Sequence, residues 1–281
     1  MAGRLDVVAT PIGNLSDLSP RAREALSGAA LIAAEDTRRT AQLLNAIGVS
    51  GKLISLNDYN EQARIEGLVK QLQNGDVIAL VSDAGTPLLS DPGFALVRAA
   101  AAAGIEVRAI PGPSALTAAL SVAGIATDRF AFEGFLPSRS NERRATLARL
   151  SHESRTLVFF EAPHRIAATL EDLAQIFGDE RRAVVARELT KLHETIYRGS
   201  LRELRKEAQN NADFARGEIT IVVAGLDERR TSGGDTELLT RALQLLLQEL
   251  PPARAAAIAA QLAGAKRSEA YDLALRLQSN K

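Results

Sequence analysis

The run Val77-Ile78-Ala79-Leu80-Val81 is apolar throughout and stops abruptly in Ser82-Asp83-Ala84-Gly85-Thr86-Pro87-Leu88-Leu89-Ser90-Asp91-Pro92-Gly93. An uninterrupted apolar run of this length is what a parallel sheet buries on both faces. The loop that follows fixes some of its φ angles through proline, exposes backbone N–H and C=O groups, and allows close approach at its glycines. In open α/β sheets, ligands bind in the crevice beyond the carboxyl ends of the strands. Two more strand ends repeat the pattern: Leu5 to Ala9 runs into Thr10-Pro11-Ile12-Gly13-Asn14, and Ile105 to Ile110 runs into Pro111-Gly112-Pro113-Ser114-Ala115. Proline and glycine can simply terminate a strand. Three loops of matched chemistry point instead to a shared site.

Strand-like runs at Leu5 to Ala9, Leu31 to Ala34, Leu53 to Leu56, Val77 to Val81 and Val107 to Ile110 alternate with helical patterns, which predicts a mainly parallel, helix-flanked sheet over residues 1–125. Ser19-Pro20 reads as an N-cap followed by a first-turn proline, and Gly48, Gly75 and Gly104 stand where helices end. Over residues 126–226 the runs Phe130 to Phe135, Thr156 to Phe160, Ala183 to Arg187, Glu194 to Arg198 and Ile219 to Val223 are more closely spaced, and predict a mixed sheet. A helix is expected over His164 to Phe177. Residues 227–235 read as a linker. Residues 236–281 predict three helices, Glu237 to Leu250, Ala253 to Leu262 and Ser268 to Leu277, with Gly264 at a turn and Ser268 as a cap. A helix-turn-helix and a three-helix packing or dimerisation module both fit that near-balanced tail.

With 281 residues, 46% of them hydrophobic, the chain can bury more than one core. The absence of cysteine rules out a disulfide framework, thiol catalysis and cysteine-ligated metal. His152, His164 and His193 lack the spacing of a helical zinc site, so no metal is expected. No apolar run approaches the ~18 residues of a membrane span and no leader pattern opens the chain, so a cytoplasmic location is expected. Lys plus Arg and Asp plus Glu both number 34, so recognition of nucleic acid would rest on local patches.

A phosphate-loop motif and a dinucleotide-binding glycine fingerprint are both missing. Ser114 stands at a strand-to-helix turn without the second glycine of a nucleophile elbow, and reads as an N-cap or a ligand hydrogen-bond donor. Glu35-Asp36-Thr37-Arg38-Arg39 follows the second strand and suits either a helix cap with surface arginines or a site where a hydroxyl is deprotonated. Asn57-Asp58-Tyr59-Asn60-Glu61 adds polar groups on the same sheet edge. The loops Glu161 to Arg165 and Arg187 to Glu194 carry acid, base and imidazole, although a lone loop histidine is ordinarily structural. Arg139, Arg143, Arg144 and Arg149 surround a single acid, Glu142, on a predicted helix; they form a solvated face or a set of phosphate contacts.

Taken together, Val8 to Leu15, Ala34 to Arg38, Ser82 to Gly93, Pro111 to Ala115, Glu133-Gly134-Phe135-Leu136-Pro137 and Arg187 to Lys191 closely resemble the ribosomal RNA small subunit methyltransferase I family of the tetrapyrrole methylase superfamily. The resemblance runs in register from about residue 4 to 225, and the tail resembles that family's extra C-terminal domain. It implies two α/β subdomains with S-adenosylmethionine in the cleft between them, a small helix-turn-helix-like domain, a homodimer, and 2′-O-methylation of a cytidine in the decoding region of 16S rRNA within the 30S subunit. Expected cofactor-binding positions are Pro11, Gly13, Ser82, Asp83, Ala84, Gly85, Ser90, Ser114, Ala115, Phe160 and Leu189. Expected RNA contacts are Arg38, Arg139, Arg143 and Arg144. Methyl transfer to a ribose oxygen requires alignment and removal of a proton, for which Glu35, Asp36 and Lys191 are the candidates. A tetrapyrrole methyltransferase and a non-catalytic RNA-binding assembly factor are the alternatives.

Overall fold

A computed structural model describes residues 3–226 and 236–279. The segment 227–235, read as a linker, lies outside the described residues. The chain divides into Met1–Ala224 and Gly225–Lys281.

In the larger unit, β1 (Arg4–Val8), α1 (Pro20–Gly28), β2 (Leu31–Ala34), α2 (Thr37–Ala46), β3 (Leu53–Ser55), α3 (Glu61–Gln73), β4 (Val77–Val81), α4 (Phe94–Ala102) and β5 (Glu106–Ile110) alternate along the chain. The five strands form one parallel sheet in the order β3-β2-β4-β1-β5. Its two faces are separately packed. Val8, Ala25, Leu26, Ile32 and Leu44 fill the α1–α2 side, while Leu5, Leu31, Leu68, Leu72, Leu80 and Leu96 fill the α3–α4 side. Burial on both sides is why β2 and β4 read as unbroken apolar runs. Ser19 caps α1, its hydroxyl accepting from the Ala22 N–H, with Pro20 next in the first turn. Gly48, Gly75 and Gly104 take positive φ after their helices.

The chain then crosses over. Helix α5 (Ala115–Ala123) follows β5 but packs on the second sheet, which is built from β6 (Phe130–Phe135), β7 (Thr156–Glu161), β8 (Arg182–Arg187), β9 (Thr195–Ser200) and β10 (Ile219–Val223), with α6 (Ser140–Leu150), α7 (Ile166–Phe177) and α8 (Leu201–Asn210) between them. The order is β6-β7-β10-β8-β9; β6 and β7 are parallel and the other pairs antiparallel. Leu157, Phe159, Val185 and Ile221 face α6, α7 and α8, and the alternate residues Val158, Val184 and Val222 face Leu116, Ala119 and Leu120 of α5. Ile12 and Leu189, from loops of the two sheets, join this second cluster, so the seam between the sheets is part of a core.

The smaller unit contains α9 (Thr236–Leu246), α10 (Pro252–Ala263) and α11 (Arg267–Ser279). Leu243 and Ala255, Ala256, Ala259, Ala270 and Ala274 form its core, the small side chains letting the helices approach closely. The first helix stops short of the expected Leu250: the Gln248 and Glu249 N–H groups tighten into i to i+3 hydrogen bonds, to Leu245 and Leu246, ahead of Pro251. Ser268 lies inside the first turn of α11, which begins at Arg267, and so is not its cap.

One expectation about charge is overturned by packing. Arg143 is 4% exposed, with Nε 2.7 Å from Oδ2 of Asp172 on α7, and Arg144 places its own Nε 2.6 Å from Oδ1 of the same carboxylate. Arg143 is therefore a buried structural cation and is withdrawn as an RNA contact. Arg144 is half-exposed, and Arg139 is exposed and pairs with Glu142. Removing one member of a buried ion pair leaves the other uncompensated. Arg143→Met is expected to destabilise the protein by ~3 kcal/mol, the low end for such a loss because Arg144 remains on Asp172, as measured by chemical denaturation.

Candidate functional site

Register brings the first wall of the site together. Ala34 pairs with Val81, so the chain beyond β2 and the chain beyond β4 leave the sheet side by side. Their next residues then bond reciprocally: the Asp83 N–H donates to Glu35 Oε2 at 3.3 Å, and the Asp36 N–H donates to Asp83 Oδ1 at 2.9 Å. Arg39 Nη1 holds the second oxygen of Asp83 at 3.2 Å. The loop after β4 is also stitched to the other two proline–glycine loops. Thr10 and Gly85 exchange both backbone hydrogen bonds, at 2.9 and 3.1 Å, and the Thr86 hydroxyl donates to the Pro113 carbonyl at 3.0 Å. The three loops form one connected edge.

The second sheet supplies the opposite wall. A cavity of about 420 Å³ runs between the two, bounded by Glu35, Asp83, Gly85 and Asp91 on one side and by Phe135, Phe160, Leu189 and Thr220 on the other. Phe160 stacks edge-on between Phe132 and Phe135, with ring centroids 4.8 and 5.7 Å away. The walls meet closely where Gly134, on a bulge of β6, faces Ser90: a Cβ at that glycine would lie 3.0 Å from the serine hydroxyl. Among the described residues, the non-glycine positions with positive φ are Leu88, Ser90, Glu188 and Thr190, all in the two loops that flank the cavity. Strain of this kind persists where surrounding structure over-determines the backbone, and it gathers at functional sites.

The first wall is acidic, and its carboxylates perturb one another. Burial pushes the Asp91 carboxyl up to about 6, with Ser82 opposing and the charges of Glu35, Asp83 and Asp58 adding to the rise. Burial also raises Glu35, against the lowering hydrogen bond from the Asp83 N–H and with repulsion from Asp83 and Asp58. Asp36 goes the other way, to about 2, because Arg38 hydrogen-bonds and neutralises it. Burial works against the charge of Lys191, but contacts with Glu188 and Glu218, at 2.8 and 3.2 Å, outweigh it and raise the ammonium.

The structure divides the residues singled out from sequence. Glu35, Asp83, Ala84, Gly85, Ser90, Ser114, Ala115, Phe160 and Leu189 line the cavity. Pro11, Gly13, Ser82, Asp36 and Lys191 are not among its lining residues. Asp36 caps α2, accepting from the Arg38 N–H, and Arg38 is 86% exposed next to it. Gly13 has a packing reason: a Cβ there would lie 2.3 Å from Lys191 Cγ and 3.1 Å from the Leu189 carbonyl oxygen, where the loop after β1 meets the loop after β8. Ser114 occupies the cap position of α5 without a side-chain capping bond, and it lines the cavity. His164 and His193 are exposed and outside the cavity lining. Sequence reasoning missed Asp91 and Arg39. Two aspartates in one proline–glycine loop were a signal for the first; nothing local distinguishes Arg39 from Arg38.

Two parallel-to-mixed sheets with a cavity at their shared strand-end seam define the tetrapyrrole methylase class, and a family model described as Tetrapyrrole (Corrin/Porphyrin) Methylases matches residues 4–205. A second, the RsmI C-terminal HTH domain, matches residues 233–278. The chain belongs to the ribosomal RNA small subunit methyltransferase I family: it is 52% identical over 272 residues to the protein of that name from Xylella fastidiosa, covering 96% of this chain and 98% of the relative. The Pseudomonas aeruginosa relative is 49% identical, covering 99% and 98%, and the Escherichia coli O157:H7 relative 46%, covering 98% and 96%. Among solved structures, diphthine synthase superposes with a TM-score of 0.58 at 18% identity, covering 78% of this chain and 89% of that one. Uroporphyrin-III C-methyl transferase from Thermus thermophilus, complexed with S-adenyl homocysteine, gives 0.55 at 17% identity, covering 81% and 100%. These two likenesses concern the fold alone. No helix among the described residues is long and apolar enough to cross a membrane.

The raised carboxyl of Asp91 has a consequence for stability. Between its ordinary value of 3.8 and about 6, the folded state binds more protons than the unfolded one, so this group lowers stability as pH rises through that window. Asp91→Asn is expected to melt at a higher temperature than the unsubstituted protein at neutral pH, with the gap shrinking towards about pH 4. Thermal unfolding followed across that range checks it.

Proposed function

We propose that this chain transfers the methyl group of S-adenosylmethionine to the ribose 2′-hydroxyl of a cytidine in the decoding region of 16S rRNA, acting on the 30S subunit in the cytoplasm as a homodimer. The observation that carries the reading is a cavity whose first wall holds Glu35, Asp83 and Asp91 beside Arg39 and whose second holds Phe135, Phe160 and Leu189 beside Glu161 and Glu218. Its volume of about 420 Å³ suits a single small ligand. Glu35, Asp83 and Asp91 complement a cationic sulfonium and amine, while Phe160, Leu189 and Ile12 offer apolar surface to an adenine ring. Relatives at 46 to 52% identity carry the rRNA methyltransferase name, whereas the Thermus thermophilus uroporphyrin-III C-methyl transferase shares 17% identity and the fold.

When bound, S-adenosylmethionine supplies a methyl group already activated on a positively charged sulfur. The protein then has to align a ribose oxygen and accept its proton. Glu35 is the acceptor in this account: it lines the cavity, and burial makes it a stronger base than an exposed glutamate. Asp83 keeps Glu35 in place through its own N–H, and Arg39 and the Asp36 N–H fix Asp83 in turn. The Asp36 carboxyl, lowered to about 2, is a poor base. Lys191 is engaged by Glu188 and Glu218, both from loops of the second sheet, which occupies its ammonium in ion pairs. Arg38, Arg139 and Arg144 remain the exposed cations for phosphates.

Two measurements test this. Glu35→Gln is expected to slow single-turnover methylation of stripped 30S particles by ~10²- to 10⁴-fold, with Asp36→Asn and Lys191→Met staying near the wild-type rate. A wild-type rate in Glu35→Gln removes this group as the base. Gly85→Val should weaken S-adenosylmethionine binding in calorimetry while the protein stays folded, because φ is +83° there and a Cβ lies 3.1 Å from Ile12, a residue of the cavity wall. Unchanged affinity would take this loop out of the site.

A further inference from the structure

Tyr59 is fully exposed, at 100% of its possible surface, and yet the turn that carries it is braced by side-chain hydrogen bonds. The Asn57 side-chain carbonyl accepts from the N–H groups of both Tyr59 and Asn60, at 3.2 Å each, while the Asn57 N–H donates to the Asn60 side chain at 2.9 Å. Both asparagine amides then donate to the Ser55 hydroxyl at 3.3 Å, and Leu56 beneath is completely buried. The next residue, Glu61, accepts from the N–H groups of Ala95 and Leu96 at 3.0 and 3.2 Å, tying the turn to the start of α4 and so to the far end of the Ser82–Gly93 loop. An exposed ring on a mobile tip would need no explanation; a large apolar ring held out on a braced turn does.

The turn also adjoins the cavity. Ser55 pairs with Ala34, the Leu56 N–H donates to the Ala34 carbonyl at 2.7 Å, and so the chain leaving β3 runs alongside Glu35. Asp58, the neighbour of Tyr59, is close enough for its charge to raise both Glu35 and Asp91. A phosphate is repelled by this acidic surface. A nucleobase is not, since it is neutral and presents a π face.

We propose that Tyr59 stacks on an unpaired nucleobase of the RNA substrate and thereby holds the target ribose at the mouth of the cavity. The proposal rests on the rRNA methyltransferase reading above. Sequence-specific RNA recognition targets unstacked bases and places them on aromatic side chains, and removing such a ring costs about 5- to 150-fold in affinity. The base stays immobile on the ring while Glu35 meets the 2′-hydroxyl. Phe94, 64% exposed at the start of α4 with Arg98 5.5 Å from its ring, is a second platform on the segment that Glu61 ties to the turn.

The chain contains no tryptophan, so Tyr59→Trp introduces a single fluorescent reporter at the proposed contact. Its emission is expected to be quenched on titration with stripped 30S particles, with methylation retained. Tyr59→Ala is expected to raise the KM for 30S particles about tenfold or more, with calorimetric affinity for S-adenosylmethionine and sedimentation behaviour unchanged, and Tyr59→Phe is expected to restore the wild-type KM. An unquenched Tyr59→Trp, or a wild-type KM in Tyr59→Ala, overturns the stacking role while leaving the methyltransferase reading intact. A change of oligomeric state in Tyr59→Ala also overturns it, in favour of a contact between subunits. If the unsubstituted protein binds S-adenosylmethionine and fails to methylate 30S particles, the functional reading falls and takes this proposal with it.

Discussion

The site depends on how closely the loops of two separate sheets approach one another. Gly13 lies against Leu189 and Lys191 with no room for a Cβ, and Gly134, at φ +64°, lies against Ser90, whose hydroxyl would be 3.0 Å from a Cβ there. Helix α5, which leaves the first sheet and packs on the second, makes the approach obligatory, and Ile12 and Leu189 join the same core as its Leu116 and Leu120. Because the seam is packed as an interior is packed, the strand ends facing it are fixed relative to each other. The strained backbones of Ser90 and Glu188 are held in place by that packing.

Within this frame, electrostatics separates groups that sequence treats alike. Glu35 and Asp36 are consecutive carboxylates, yet one turns towards the cavity and is raised by burial while the other turns to the start of α2 and is lowered by Arg38. The helix start accounts for the second: Asp36 is the N-cap of α2, and its carboxylate accepts the Arg38 N–H. Glu35 is held in a fixed position by the Asp83 N–H, and Asp83 in turn by Arg39.

Much of the fold was legible because burial on both faces leaves a plain trace. The strands at Leu31–Ala34 and Val77–Val81 have the predicted bounds, and the mixed character of the second sheet followed from the close spacing of its runs. The site was legible in part. Loops rich in proline and glycine marked Asp83, Gly85 and Ser114, all of which line the cavity. Arg143 misled, because a helix's charge pattern does not say which face it buries, and its partner Asp172 lies 29 residues away. Asp91, named in the Ser82–Gly93 loop, was not singled out as a site residue for a related reason: its perturbation comes from burial and from Glu35, Asp83 and Asp58, which the fold assembles from three strand ends.

The central claim is that this cavity directs an activated methyl group onto a ribose oxygen of small-subunit rRNA. The most direct test is to incubate the protein with methyl-labelled S-adenosylmethionine and either 30S particles lacking the modification or a porphyrinoid, then digest the RNA and identify the labelled nucleoside by mass spectrometry. The account predicts label in a single 2′-O-methylcytidine from the decoding region and none in the porphyrinoid. Label on a base, or on the porphyrinoid in place of the RNA, would contradict it.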